Sequence, residues 1–250
     1  MEHREFDIML ADENTHWWYR ARFRLVDHCL DALFPKTGNS MILDMASACG
    51  ANFDHYAGYG TIVGLDIAKE AIDFCRGKGI NRIVRGDAHY LPFSNDVFDG
   101  VFALDALEHF KDDAQVLTEL HRVMSKNGLI FITLPAFLCL WSQHDEAFHH
   151  SRRYSIKDIK NKLTKAGYEL IFATYWSFFL FIPALIFRKI RDISRAFRKS
   201  KAKPVSDFNT NIPSWMSLML DHLARVEAFF IKRKIFFPFG VSLMCVAKKI

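Results

Sequence analysis

The sequence predicts a doubly wound α/β fold, an open and mostly parallel sheet with helices on its two faces. Three observations carry this. Short apolar runs recur along the chain, helix-like or turn-rich stretches separate them, and small residues or acids follow the early runs where a ligand-binding crevice would lie.

The elements follow in order. Residues 15–34 form an amphipathic opening helix, broken by the turn residues of 35–39. The run 41–45 is the first strand, ending in Asp44 and a loop of small residues through Gly50. Similar runs at 61–67, 82–85, 98–104 and 128–134 read as the next strands. Between them, 112–124 places Ala114, Val116, Leu117, Leu120 and Val123 at helical spacing, and Asn127-Gly128 stops that helix. A second helix, 155–166, opens on Ser155, a natural N-cap three residues before Asp158, and closes at Gly167. Strands are expected at 168–175 and 241–248, with about 65 residues between them where a hairpin needs only a few. That excess is read as a helical insertion between the last two strands.

The totals exclude several classes. With 250 residues, 50% hydrophobic and 24% charged, the chain can bury a full core and is neither wholly disordered nor polytopic. The net charge of +5 gathers in one stretch, so a nucleic-acid partner is not expected. Cys29, Cys49, Cys75, Cys139 and Cys245 form no C-x-x-C pair, which points to reduced thiols in cytoplasm. The first ten residues, with Glu2, Arg4, Glu5 and Asp7, lack the apolar stretch of a secretory signal.

In an open α/β sheet the ligand binds beyond the carboxyl ends of the strands, so the loop after the first strand matters most. Asp44 precedes Met45-Ala46-Ser47-Ala48-Cys49-Gly50, and Asp66 ends the second strand, where a carboxylate accepts hydrogen bonds from ribose hydroxyls. A diphosphate wants glycines and helix amides. Ala46 and Ala48 supply neither, and Asp44 favours a cationic group instead. Asp87, after the third strand and beside Ala88, is placed to accept from an adenine amino group.

Together, Ile42-Leu43-Asp44, Gly64-Leu65-Asp66 and Gly86-Asp87-Ala88, followed by Phe98-Asp99-Gly100-Val101 and Ala106-Leu107-Glu108-His109-Phe110, resemble the class I S-adenosylmethionine-dependent methyltransferases, type 11 and its bacterial relatives, over residues 40–175. The resemblance implies a Rossmann-like seven-stranded sheet with an antiparallel last strand. It also implies S-adenosyl-L-methionine as cofactor, held by Asp44, Ala46, Gly50, Asp66, Ile67, Asp87, Ala88 and Leu104. The chain departs from the family's glycines at Ala46 and Ala48. On this reading it divides into an N-terminal helical lid (1–39), the cofactor-binding core (40–175), the insertion (176–238) and a final core strand (239–250).

Methyl transfer is a displacement that needs aligned reactants and, for a hydroxyl acceptor, removal of a proton. The stretch 140–154 is dense in suitable groups. His144, His149 and His150 are candidate bases, with His144 and His150 preferred, Asp145 or Glu146 candidates for orienting an imidazole, and Arg152, Arg153 and Tyr154 candidates for holding the acceptor. Trp18, Tyr19 and Arg22 on the opening helix, with His109, complete the expected acceptor set. The spacing of His144, Asp145, His149 and His150 matches no standard zinc motif, so catalysis without metal is expected.

Residues 177–187 are intensely apolar but too short to cross a bilayer, which takes about 20 residues. Arg188, Lys189, Arg191, Arg195, Arg198, Lys199, Lys201 and Lys203 follow. An apolar anchor beside a basic cluster is the pattern of peripheral contact with anionic lipid over 177–203, at the inner face of the membrane. A second amphipathic helix is expected over 214–232, with Trp215, Met219, Leu223, Val226 and Phe230 on its apolar face. Packing of both helices on the sheet or in a dimer is the competing reading. The acceptor is expected to be a small molecule, lipid-linked or saccharide. The alternatives are a cofactor-binding scaffold without turnover and an NAD enzyme using Asp66, the latter disfavoured by the glycine-poor loop.

Overall fold

The computed structural model describes residues 15–34, 36, 38–198 and 213–250. Arg195 and Arg198, with Lys199, Lys201 and Lys203, have side chains outside the described residues, as do the acids and arginine of the first ten positions.

The elements run α1 (Trp17–Leu33), β1 (Ser40–Met45), α2 (Ala51–Tyr56), β2 (Gly60–Asp66), α3 (Lys69–Gly77), β3 (Ile83–Arg85) and β4 (Phe98–Leu104). They continue with α4 (Asp113–Val123), β5 (Met124–Pro135), α5 (Gln143–Ala147), α6 (Ile156–Lys165), β6 (Tyr168–Trp176), α7 (Phe181–Arg198), α8 (Ser214–Lys232) and β7 (Ser242–Lys249). The seven strands form one sheet in the order β3-β2-β1-β4-β5-β7-β6. Strands β1 to β5 pair in parallel, and β7 runs antiparallel to both β5 and β6. The order reverses beside β1, where β2 lies on one side and β4 on the other, and that crevice is where an open α/β sheet takes its ligand.

Alternation within strands builds two cores. Val101, Ala103, Ile130, Ile132 and Cys245 face α4 and α6 through Val116, Leu120, Ile159 and Leu163. Their neighbours Phe102, Leu104, Phe131, Met244 and Val246 face α1 through Leu25, Val26, Cys29 and Leu30. The Ser155 cap forms with Asp158 as its reciprocal partner.

The first and second insertion helices behave differently from their sequence pattern. The buried stripe of α8 is Leu220, Asp221, Ala224, Glu227 and Ile231, whereas Trp215 (64% exposed) and Met219 (48%) of the expected apolar face meet solvent. Partners on other elements, together with Arg225 one turn away, explain the inversion. Arg24 on α1 and Arg225 bind the Asp221 carboxylate, and Glu227 accepts from the amides of Ser177 (2.8 Å) and Phe179 (3.1 Å). Arg188, expected in the basic surface cluster, is buried and donates to the Leu140 carbonyl at 2.8 Å, docking α7 onto the segment before α5.

Candidate active site

The loop from β1 to α2 turns sharply. Ala46, Ala48 and Gly50 have φ of 59°, 45° and 78°, all in the left-handed region. A side chain at Gly50 would meet the Ile80 side chain at 2.7 Å as well, so this position favours glycine. Ser47 stitches the loop to β2: its hydroxyl donates to the Asp44 carbonyl (2.7 Å) and accepts from the Leu65 amide (3.2 Å). Gly64 permits that approach, since a Cβ there would lie 2.6 Å from the Ser47 hydroxyl.

The loop amides are turned toward protein acceptors. Ala48 N donates to Asp66 Oδ2 (3.0 Å), Ser47 N to the Leu65 carbonyl (3.1 Å) and Gly50 N to the Ser47 carbonyl (2.8 Å). What lies at the strand ends is carboxylate. Asp44 is buried, with Oδ1 accepting from Asn52 at 2.9 Å. Asp66 holds Ala68 N on Oδ1 (2.9 Å), and each of its oxygens keeps further acceptor capacity for a hydroxyl. Asp87 binds the amide and ring of His89, which hold its carboxyl below the usual carboxylate range. Ile67 is 64% exposed beside Asp66, while Ala88 and Leu104 are buried.

On the other side of β1, Asp105 follows β4 with φ 52° and pairs with Arg22 of α1 at 2.9 Å. The Arg22 guanidinium also lies over the rings of Trp18, Tyr19 and Phe23, and Trp18 packs on Trp176 with centroids 5.2 Å apart. Glu108, in the turn Leu107–His109, is 1% exposed; burial, and then the charge of Asp105, push its carboxyl well above the ordinary range. His109 meets solvent on one side, yet desolvation, aided by His150, lowers it to about 4. The two rings stand edge to face, centroids 4.9 Å apart.

Asp145 anchors this region. Its carboxylate, fully buried, receives Arg153 through Nε (2.7 Å) and Nη2 (3.0 Å), His150 Nδ1 (3.0 Å) and the Ser142 amide (2.9 Å). Burial alone would raise its pKa; the His150 and Arg153 contacts overcome this and lower it. A second buried acid, Asp113, gathers Tyr154 (2.7 Å), Lys162 (2.7 Å) and Arg152 (3.2 Å).

The family model for a methyltransferase domain matches residues 43–132. The match covers 90 of the 250 residues, and over that stretch the chain is similar to methyltransferase domains. A methyltransferase structure from Bacillus halodurans C-125 superposes with a TM-score of 0.56 at 22% identity, covering 90% of this chain and 98% of that one. Among curated relatives, the biotin biosynthesis bifunctional protein of Cellvibrio japonicus is 26% identical over 68% of this chain and 34% of its own length. A demethylmenaquinone methyltransferase of Staphylococcus epidermidis is 30% identical over 33% of this chain and 39% of its own. The chain thus spans about a third to two fifths of these relatives.

Within the matched stretch, Asp44, Ala46, Gly50, Asp66, Ile67, Asp87 and Ala88 lie together at the carboxyl ends of β1 to β3, and Leu104 ends the adjacent β4. The acceptor set is divided. Arg153 and Tyr154 are buried and spent on Asp145, the Ala136 carbonyl and Asp113, which corrects the expectation that they hold an acceptor. Asp145, likewise sealed, reaches chemistry only through His150. Arg152 is committed to Asp113 and the Lys111 carbonyl, a third correction. His144 is half-buried, with its ring 6.0 Å from that of His150. Asp105 and Asp113 went unread because their partners, Arg22 and Tyr154, lie far away in sequence. An open depression of about 530 Å³ lies at the opposite strand ends, beside Ser40, Asp99 and Lys126, away from these acids.

Proposed function

We propose that this chain transfers the methyl group of S-adenosyl-L-methionine to an oxygen of a small acceptor, lipid-linked or saccharide, presented at a membrane surface. One observation carries the cofactor reading. The amides of Ser47, Ala48 and Gly50 are consumed inside the protein, and carboxylates of Asp44, Asp66 and Asp87 remain at the strand ends. Such a site suits a ribose and a cation, and not the diphosphate of NAD.

The bound sulfonium supplies an electrophilic methyl group and departs as a neutral thioether. The chain's task is to align the acceptor oxygen behind that carbon and to receive its proton. Asp66 holds the ribose and Asp87 the adenine. Arg22, clamped on Asp105, seats α1 over the crevice as its lid. His150, oriented by Asp145, and His144 stand where the acceptor's proton is released.

The acceptor class rests on the insertion. Ile182, Ile186, Phe187 and Ile190 of α7 are each at least half exposed, with Lys189 among them, and Trp215 and Leu218 of α8 are also exposed. Apolar side chains of that size beside lysine and arginine favour a lipid surface. Among the described residues no helix is long and apolar enough to cross a membrane, so contact would be peripheral. The relative named for demethylmenaquinone supports a lipid-like acceptor.

Calorimetric titration with S-adenosylmethionine, its demethylated product and NAD tests the reading. Micromolar binding of the first two is expected, weakened by about 1–3 kcal/mol in Asp66→Ala through loss of a hydrogen-bond acceptor. Binding of NAD alone, or equal affinity in the variant, would overturn it. Cofactor binding without turnover on quinol, polyprenyl and glycolipid acceptors would favour the scaffold reading.

A further inference from the structure

The turn after β4 and the segment after α5 bring three ligand-type side chains to one point. Glu108 is 1% exposed, and its Oε2 has no hydrogen-bond partner among the described residues. The Ser151 amide donates to the Glu108 carbonyl at 2.7 Å, fastening His150 beside it. A carboxylate oxygen of Glu108 and one ring nitrogen each from His109 and His150 all lie within 4.8 Å of one another.

His150 is prepared for a particular role. Its Nδ1 faces Asp145 Oδ1 at 3.0 Å, so the neutral ring donates there and keeps its lone pair on Nε2. A carboxylate behind a histidine is the usual outer support of a metal-bound imidazole, and Arg153 in turn fixes that carboxylate. The buried Glu108 oxygen makes the same point from the other side. A carboxyl held out of water ionises at a cost, and a cation beside it offsets that cost.

We propose that Glu108, His109 and His150 bind a divalent transition-metal ion at the acceptor side of the crevice. Two imidazoles and one carboxylate suit zinc or cobalt over magnesium or calcium, and three protein ligands leave positions open for an acceptor oxygen. Ligands bound at about 2.0–2.1 Å in a tetrahedron sit about 3.3 Å apart, so modest side-chain rotation closes the site. The proposal departs from the metal-free expectation drawn from spacing, which considered residues near in sequence. Glu108 and His109 lie about forty positions before His150. The binding claim stands independently of methyl transfer; the further role, polarising an acceptor oxygen, rests on that reading and leaves proton removal to His144, since the ion occupies His150 Nε2.

The test uses the full chain without cofactor. Chelator-treated protein is titrated with zinc chloride by calorimetry and with cobalt chloride by visible absorption, and metal content after dialysis is measured by mass spectrometry. About one equivalent is expected, with a ligand-field band for cobalt. Affinity should fall at least about tenfold in Glu108→Gln and in His150→Ala, with His55→Ala, at a ring paired with Asp27 on another helix, unchanged and thermal melts establishing that each variant folds. Uptake below about a tenth of an equivalent by the native chain would overturn the proposal, as would equal affinity in the isosteric Glu108→Gln. Titrating S-adenosylmethionine into the same sample separates the claims, because metal uptake without cofactor binding defeats only the methyl-transfer reading.

Discussion

Replacing Asp145 by asparagine isolates the buried ion pair from the chemistry attributed to its surroundings. Asparagine preserves volume but leaves the Arg153 guanidinium, 1% exposed, with a neutral partner in place of two short charged contacts at 2.7 and 3.0 Å. Removing one member of such a pair costs about 3–5 kcal/mol, because the remaining charge stays out of water. The amide oxygen still accepts one hydrogen bond, so the lower end, about 3 kcal/mol, is expected. For a chain of this size each kcal/mol moves the melting midpoint by about 2–4 °C, giving a fall of about 6–12 °C. Urea unfolding of the native protein, Asp145→Asn, Arg153→Met and the double variant Asp145→Leu/Arg153→Met forms the assay. The double variant should recover much of the loss, since apolar side chains carry no desolvation cost. A fall below about 1 kcal/mol with additive effects would refute the reasoning: Arg153 would then reach water, and Asp145 would be free for a chemical role.

Ala48, at φ 45°, occupies a conformation that favours glycine, so Ala48→Gly should raise stability by about 1 kcal/mol, read as a higher melting midpoint. The double change Ile186→Ser/Phe187→Ser, at side chains 54% and 51% exposed, should lower sedimentation with anionic vesicles about tenfold or more while moving the melt little; unchanged sedimentation would remove the membrane reading. Burial would raise Asp221, but hydrogen bonds from Arg24 and Arg225 prevail and lower it below the ordinary carboxylate value. Its contribution is therefore complete above about pH 4 and lost as pH falls through the depressed folded pKa. Melts from pH 2 to 6 should show an acid limb that Asp221→Asn flattens.

Much of the fold and the cofactor end was legible in the sequence because the governing signals are local. Apolar runs of strand length, each closed by an acid or small residue, placed Asp44, Asp66 and Asp87 at adjacent strand ends once the sheet was parallel. The Ser155 cap was readable for the same reason, since the cap and its partner lie three residues apart. The acceptor side was decided elsewhere. Asp145, Arg152, Arg153 and Tyr154 look like exposed chemistry in a polar stretch, and three of the four are interior groups that satisfy one another or Asp113. The apolar stripe of α8 likewise predicted a buried face, yet the face turned inward carries Asp221 and Glu227 among Leu220, Ala224 and Ile231, the acids reaching Arg24 and the amides after β6. Periodicity tells which side chains share a face of a helix. Which face is buried depends on whether a distant residue can pair a charge there, and only the packed chain supplies that partner.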